Sequence, residues 1–341
     1  MWKLNKVGGS ILNQYKQEML PVLYKGIVDN LPASYIAILI PDQGSPTEDL
    51  SYLEDLLIEE PNRLFALNNS LMAQLINGYR DSDLPIYQKA CRKTTTRTAA
   101  DVNLINKYGP VLQQLKNAFD YKSNISENAG RAYRLTEMKG ANVCTYCNRQ
   151  YIFTINKPKK KNGLEHVARP ELDHWFCKEL YPLLSLSFYN LIPSCHICNS
   201  SAKGSVVFNL STHVHPYLQN NPDPAFKFKP TPSVDFPNHW DVIIERVNGT
   251  KEDNTIKAFA LDEIYAMHGR LEVEELMKFN YSYNAGYLKI LYEELLNDFC
   301  PKLSRAEVYR MLFGTELEPA RFGERPMSKL KHDILEYLKV I

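Results

Sequence analysis

No run of apolar residues in this chain approaches the 18 or so needed to span a bilayer, and the opening MWKLNKVGGS has no apolar core of the kind a secretory signal carries. A cytoplasmic protein without a membrane partner is the expectation. Low-complexity tracts and internal repeats are missing too, which excludes a disordered or solenoid chain and leaves a soluble globular one. Nor is there an excess of charge of either sign. With 40 basic against 39 acidic residues, the whole chain offers no electrostatic attraction to nucleic acid, so any such attraction must be local. Local runs exist at Lys157, Lys159, Lys160 and Lys161 and at Arg92, Lys93 and Arg97; the plain reading of either is a solvated loop.

The 341 residues, 44% of them hydrophobic, suffice for a substantial core in one large domain or two to three smaller ones. Residues 1–140 read as mainly helical. Ile11, Tyr15, Met19, Leu23 and Ile27 recur every four residues and stripe one helix. Ser45-Pro46-Thr47-Glu48 has the form of a capping box opening a helix through Glu59. Further helices are expected over 63–79, 101–119 and 127–139, the last stopped by Gly140. All of these are packing elements with no chemistry evident in them. Tyr151 to Ile155 is β-prone, KPKKKNG is a turn, a second extended stretch runs from Pro170 to Trp175, and helical signal returns after Cys195. Beyond the loop NNPDP, Phe226–Lys229 and Asp241–Val247 read as strands. From Leu261 the pattern is helical, with Ile264, His268, Leu271, Leu276, Tyr287, Leu291 and Leu295 as core candidates. The expected fold is α+β, with a helical region over 1–140, a central module over 141–215 and a mixed, mainly helical region over 216–341.

Seven cysteines in a reducing compartment do not make a disulfide framework. Four are paired by spacing, as Cys144-Thr-Tyr-Cys147 and Cys195-His-Ile-Cys198, with 47 residues between the pairs. Cys91, Cys177 and Cys300 have no such partner. One Cys-x-x-Cys alone could be a redox motif, but no βαβ unit accompanies these, and two pairs bracketing a small β-rich segment fit four thiolates on one tetrahedral zinc. His196 could replace one cysteine, although the paired spacing favours four sulfurs. Zinc closed by four protein ligands has no open position, so it builds structure; chemistry must come from what it fixes in place.

The bracketed segment contains Asp173-His174, then Asn190, then Asn199 directly after Cys198, then Lys203-Gly204. In this order and spacing, about sixty residues from Cys144 to Gly204 resemble the HNH endonucleases, the ββα-metal nucleases, of the subgroup carrying two zinc-binding Cys-x-x-Cys pairs. The resemblance implies that Asp173-His174 ends the first strand, that Asn190 opens the second and braces the loop orienting the imidazole, and that the helix after Cys195 carries Asn199 and Lys203. It departs from the family at Asn199, often histidine there, and at Trp175-Phe176-Cys177, where many members have a polar or proline-containing turn. Hydrolysis of a phosphodiester needs an activated water and a cation against the developing charge. His174 suits the general base, Asp173 and Asn199 are hard ligands for Mg²⁺ or Mn²⁺, and Lys203 is a candidate phosphate contact or a merely solvated helix-end lysine. Adjacent strand residues point to opposite faces, so Asp173 and His174 share a site only if the strand ends or bulges there. His213 and His215 are either site residues or structural members of a His-x-His-Pro turn.

Flanking segments, Tyr181 to Asn190, His215-Pro216-Tyr217 and Arg325 to Leu330, resemble HNH proteins encoded beside ATPases in antiphage systems such as Septu and retrons with Septu-like effectors. The implied function is metal-dependent cleavage of DNA or RNA as a defence effector restrained by a partner ATPase. The competing readings are a stand-alone modification-dependent restriction enzyme and an inactive zinc-stapled nucleic-acid-binding adaptor. Co-elution with the product of a neighbouring ATPase gene is the expected outcome of co-expression. Separate elution, with robust cleavage by this chain alone at physiological salt, would select the restriction enzyme.

Overall fold

The structure, a computed structural model, describes residues 2–159, 163–204, 206–237, 239–282 and 304–341. Lys160, Lys161, Tyr287, Leu291, Leu295 and Cys300 lie outside these residues. Helix α1 (Gly9–Asn30) buries Tyr15, Met19, Leu23 and Ile27 on one face, the four-residue recurrence turned into packing. It lies against α3 (Ser51–Ile58) and α6 (Ala99–Ala118), with α2 (Ala33–Leu39), α4 (Pro61–Leu75), α5 (Leu84–Arg92) and α7 (Ala129–Lys139) completing the helical region. Helix α6 starts two residues earlier than expected because Thr98 and Asp101 form a reciprocal capping box, Asp101 N–H donating to Thr98 Oγ1 at 3.2 Å and Thr98 N–H to Asp101 Oδ2 at 2.7 Å. Helix α7 stops where Gly140 takes φ +61°.

The capping box expected at Ser45 does not form, and α3 begins six residues later, at Ser51. Ser45 Oγ accepts instead from the Thr47 amide at 3.2 Å in a local turn, and Tyr24 donates to the Glu48 carboxylate at 2.9 Å, drawing it away from the helix start. Asp49 takes over at that end by accepting from Ser51 N–H at 2.8 Å. The regular strand expected at Tyr151 to Ile155 is likewise displaced. Tyr151 makes only an isolated antiparallel bridge to Val143, and β1 spans Ile155–Pro158.

The strands form three antiparallel pairs among the described residues. β1 with β2 (Leu164–Ala168) is an exposed hairpin. β3 (Glu171–His174) pairs with β4 (Leu191–Ser194), with Asp173 opposite Ile192 and His174 opposite Leu191, and both strands are largely buried. A wide helical turn, Ile197–Ala202, follows β4. β5 (Lys227–Pro232) pairs with β6 (Trp240–Glu245) and precedes α8 (Lys251–Ala258), α9 (Leu261–Ala266) and α10 (Glu274–Ser282). Of the core candidates there, Leu276 is buried but Leu271 is 65% exposed, because residues 269–273 form a wide turn that aims Val273 inward in its place. No helix among the described residues is long and apolar enough to cross a membrane.

One continuous cluster of buried side chains runs from Trp2 to Val340, and specific hydrogen bonds tie distant segments to the centre. Tyr15 OH donates to Leu186 O at 2.6 Å, and Leu4 N–H to Pro216 O at 3.1 Å. Asn148, in the left-handed region at φ 53°, donates from Nδ2 to Phe322 O and accepts at Oδ1 from Ser328 N–H, so the C-terminal segment docks on the turn after Cys147.

At the crossing of α1 and α6, a Cβ on Gly26 would fall 2.2 Å from the Ala118 carbonyl oxygen, backbone that cannot move aside cheaply. Gly26→Ala is expected to cost about 1–3 kcal/mol in urea unfolding by overpacking. Gly9→Ala, where a Cβ meets nothing within 4 Å, should be neutral or stabilising; equal effects of the two would refute this close approach.

Candidate functional site

The four paired cysteines converge. Cys144 and Cys147 sit on a turn closed by Cys144 N–H to Gln150 O at 3.0 Å and Asn148 N–H to Cys144 O at 2.9 Å. Cys195 and Cys198 sit where β4 passes into the helical turn, closed by Asn199 N–H to Cys195 O at 3.0 Å. All four are buried, their sulfurs lie within 4.8 Å of one another, and Cys147 Sγ is 3.9 Å from Cys195 Sγ. Zn–S bonds of about 2.3 Å in a tetrahedron require S···S edges of about 3.8 Å, so the cluster suits a structural zinc. Cys195 N–H donates to Cys144 Sγ at 3.3 Å, the kind of outer hydrogen bond that orients a ligand. Burial pushes the Cys144 thiol up, while hydrogen bonding from Cys144 holds the Cys195 thiol down. His196 points away from the sulfurs, its Nδ1 2.6 Å from Glu171 Oε1.

Against this cluster lies a cleft of about 450 Å³. Asp173, His174, Asn199 and Lys203 all line it, while Asn190 is fully buried behind it. Asp173 and His174 reach the same cleft because β3 ends at His174. The chain then turns into a loop held by Asn190, whose Oδ1 accepts from Phe176 N–H at 2.6 Å and whose Nδ2 donates to Phe176 O at 3.1 Å and Leu184 O at 2.8 Å. That loop delivers the Ser185 carbonyl to His174 Nε2 at 3.0 Å. A carbonyl can only accept, so Nε2 carries the proton and Nδ1 the lone pair. The ring stands edge-on to Tyr121 at 4.4 Å. Burial, reinforced by the charges of Lys178 and Lys203 and opposed by the Ser185 hydrogen bond, holds the imidazole down to about 3 and therefore neutral.

Lys203 does not stand free at the cleft. Only 5% exposed, it donates to Asp173 Oδ2 at 2.7 Å, to His174 O at 2.5 Å and to Trp175 O at 3.4 Å, clipping the helical turn to the end of β3. Tyr146 OH donates to the same Asp173 oxygen at 2.6 Å. Asn199 donates from Nδ2 to Glu171 Oε2 at 2.7 Å. No hydrogen bond within the described protein engages Asp173 Oδ1 or Asn199 Oδ1. The cations lining the cleft without a carboxylate partner are Arg92, Arg169 and Lys178. Of the run noted in sequence, Lys93 pairs with Asp101 at 2.7 Å, Arg97 donates to the carbonyls of Ala90 and Cys91 at the end of α5, and Arg92 alone of the three faces the cleft. Lys157 pairs with Glu165 at 3.1 Å across the exposed hairpin.

Sequence reasoning missed Glu171, Arg169, Lys178 and Tyr121. Glu171 did leave a signal, since it stands two residues before Asp173 and so shares its strand face. His215 is buried against Trp175, with ring centroids 4.6 Å apart, and His213 stacks on Phe208 at 4.2 Å and lines an adjoining cavity. No family model, no curated protein and no solved structure matches the chain.

Purified protein is expected to contain one zinc per chain by elemental analysis. Cys195→Ser should leave it largely unfolded, because zinc binding in small sites is worth about 10–16 kcal/mol and is folding energy. Cys91→Ser, at an exposed cysteine, serves as the tolerated control. Well-folded protein without zinc would overturn the assignment.

Proposed function

We propose that the cleft hydrolyses phosphodiester bonds in nucleic acid, with β3, β4 and the turn Ile197–Ala202 acting as an HNH-type ββα unit on the zinc cluster. The observation that carries this reading is His174: a neutral imidazole fixed by Ser185 O in the Nε2–H form, so that Nδ1 is its basic atom, beside hard oxygen donors and three unpaired cations. Nδ1 takes the proton of the attacking water. Asn190 is a positioning residue, holding the loop that holds the imidazole. Arg92, Arg169 and Lys178 hold the phosphate, and its negative charge offsets the lysine charges that weaken the base, so His174 gains basicity when substrate arrives.

Asp173 Oδ1 and Asn199 Oδ1 would hold Mg²⁺ or Mn²⁺, which keeps several waters and needs few protein ligands. The ion's charge supplies the neutralisation of the transition state. Lys203 acts through Asp173, occupying Oδ2 and so leaving Oδ1 free for a ligand. The role as an antiphage effector beside a partner ATPase rests on the sequence resemblance of the flanking segments.

His174 is buried, so His174→Ala carries a folding cost. His174→Gln is the cleaner test, since its amide can still donate to Ser185 O. It is expected to lower cleavage of plasmid, oligonucleotide or tRNA substrates in Mg²⁺ or Mn²⁺ by about 10²–10⁴-fold, the usual contribution of a general base. Oligonucleotide affinity and zinc content should stay unchanged. Wild-type turnover in this variant would remove His174 as the base, and a wild type that binds these substrates without cleaving any would remove the nuclease reading and leave the binding adaptor.

A further inference from the structure

A second cavity, of about 1070 Å³, adjoins the His174 cleft, and Arg92 and Val206 line both, so the two form one groove. Its lining is apolar where Pro85, Tyr181, Val207 and Ala258 meet and polar at Gln88, Asn254 and His213. Asn254 Nδ2 donates to Thr212 O at 3.0 Å, which leaves its Oδ1 without an internal partner. Thr212 Oγ1 lies 2.8 Å from His213 Nδ1, which leaves Nε2 likewise unengaged, and no hydrogen bond within the described protein engages the Gln88 amide. Lys89, exposed on α5, and Arg92, one turn later, have no carboxylate partner. The other two lysines here are neutralised, Lys93 by Asp101 and Lys257 by Asp253 at 2.7 Å. The carboxylate of the cavity, Asp81, accepts from Tyr181 OH at 2.8 Å and Asn209 Nδ2 at 3.2 Å.

We infer that this groove takes an unpaired nucleotide of the strand being cut: the strand crosses Arg92 out of the His174 cleft, and the neighbouring base enters the larger cavity. The inference rests on the phosphodiesterase reading of the cleft for its direction, but the cavity carries its own chemistry. A nucleobase has two apolar faces and an edge of donors and acceptors, and it is joined to an anionic chain. Apolar walls, three unengaged edge-reading groups and two cations without a carboxylate partner, Arg92 at the cleft and Lys89 one turn before it on α5, complement each of those parts. A base within a duplex has its faces stacked and its edge paired, and extruding it costs a few kcal/mol, so single strands should be preferred.

The test compares wild type, Lys89→Glu and Ala258→Trp on bis(p-nitrophenyl) phosphate, which has a phosphodiester and no base, and on labelled twelve-nucleotide single-stranded DNA, single-stranded RNA and duplex DNA, with Mn²⁺. Lys89 is exposed, so its variant keeps the test valid if the tryptophan disturbs packing. The loss in affinity and kcat/KM on single strands is expected to exceed any loss on bis(p-nitrophenyl) phosphate by roughly tenfold, the scale of one base stack. The DNA and RNA arms show which strand enters. Wild-type preference for duplex, or single-strand values in both variants that match wild type while the small ester is cleaved, would overturn the subsite and leave the nuclease standing. Single-strand binding that both variants lose, in a wild type that cleaves neither substrate, would support the subsite and remove the nuclease.

Discussion

One carboxylate ties the centre of this protein together. Asp173 Oδ2 receives Tyr146, from between the first two cysteines, and Lys203, which caps the helical turn carrying Cys198. Its own backbone belongs to β3. Three segments far apart in sequence are thus registered at one oxygen, close to the sulfur cluster that joins two of them. Burial raises the stakes. A charge at 6% exposure is tolerated only if paired, and removing one partner of such a pair costs about 3–5 kcal/mol. The pairing therefore fixes geometry more than it adds net stability.

The β3–β4 pair needs that support. Two strands of four residues have too few ladder bonds to persist alone. They are held at one end by the cysteine cluster and at the other by the Asn190 loop, with Trp175, Phe176 and Phe188 packed around them. The loop has only two short 3-10 turns, Pro182–Leu184 and Phe188–Asn190, and the Asn190 side chain adds three hydrogen bonds to its backbone. Consequently the Ser185 carbonyl, eleven residues from His174 in sequence, serves as a fixed acceptor and selects one tautomer of the imidazole. A buried amide thus decides which nitrogen of a neighbouring histidine is basic.

How far all this could be read beforehand varies with the range of the interaction. Cysteine spacing and the four-residue apolar recurrence of α1 are local patterns, and both were legible. The bracing role of Asn190 came through the family resemblance, not through any local signal. The Ser45 capping box failed because Tyr24, on another helix, competes for Glu48. Leu271 failed as a core residue because periodicity assumes an unbroken helix, and the backbone there widens into a turn that places Val273 inward. Arg169, Lys178 and Tyr121 could not be read at all. Each is an ordinary residue in its own segment, and only the fold brings the three to one cleft.

Charge shows the same dependence on topology and alters what the helical region does. Three of the basic residues conspicuous in sequence are neutralised: Lys203 by Asp173, Lys157 by Glu165 and Lys93 by Asp101. The cations without a carboxylate partner around the cleft come from separate places, Arg92 on α5, Arg169 between β2 and β3, and Lys178 in the loop after His174. A near-neutral chain can therefore gather cations at one cleft without a basic domain, here beside the carboxylates of Glu171, Asp173 and Glu179. Arg92 stands at the junction of the cleft and the larger cavity, so the helical region, through α5, supplies part of the surface around His174.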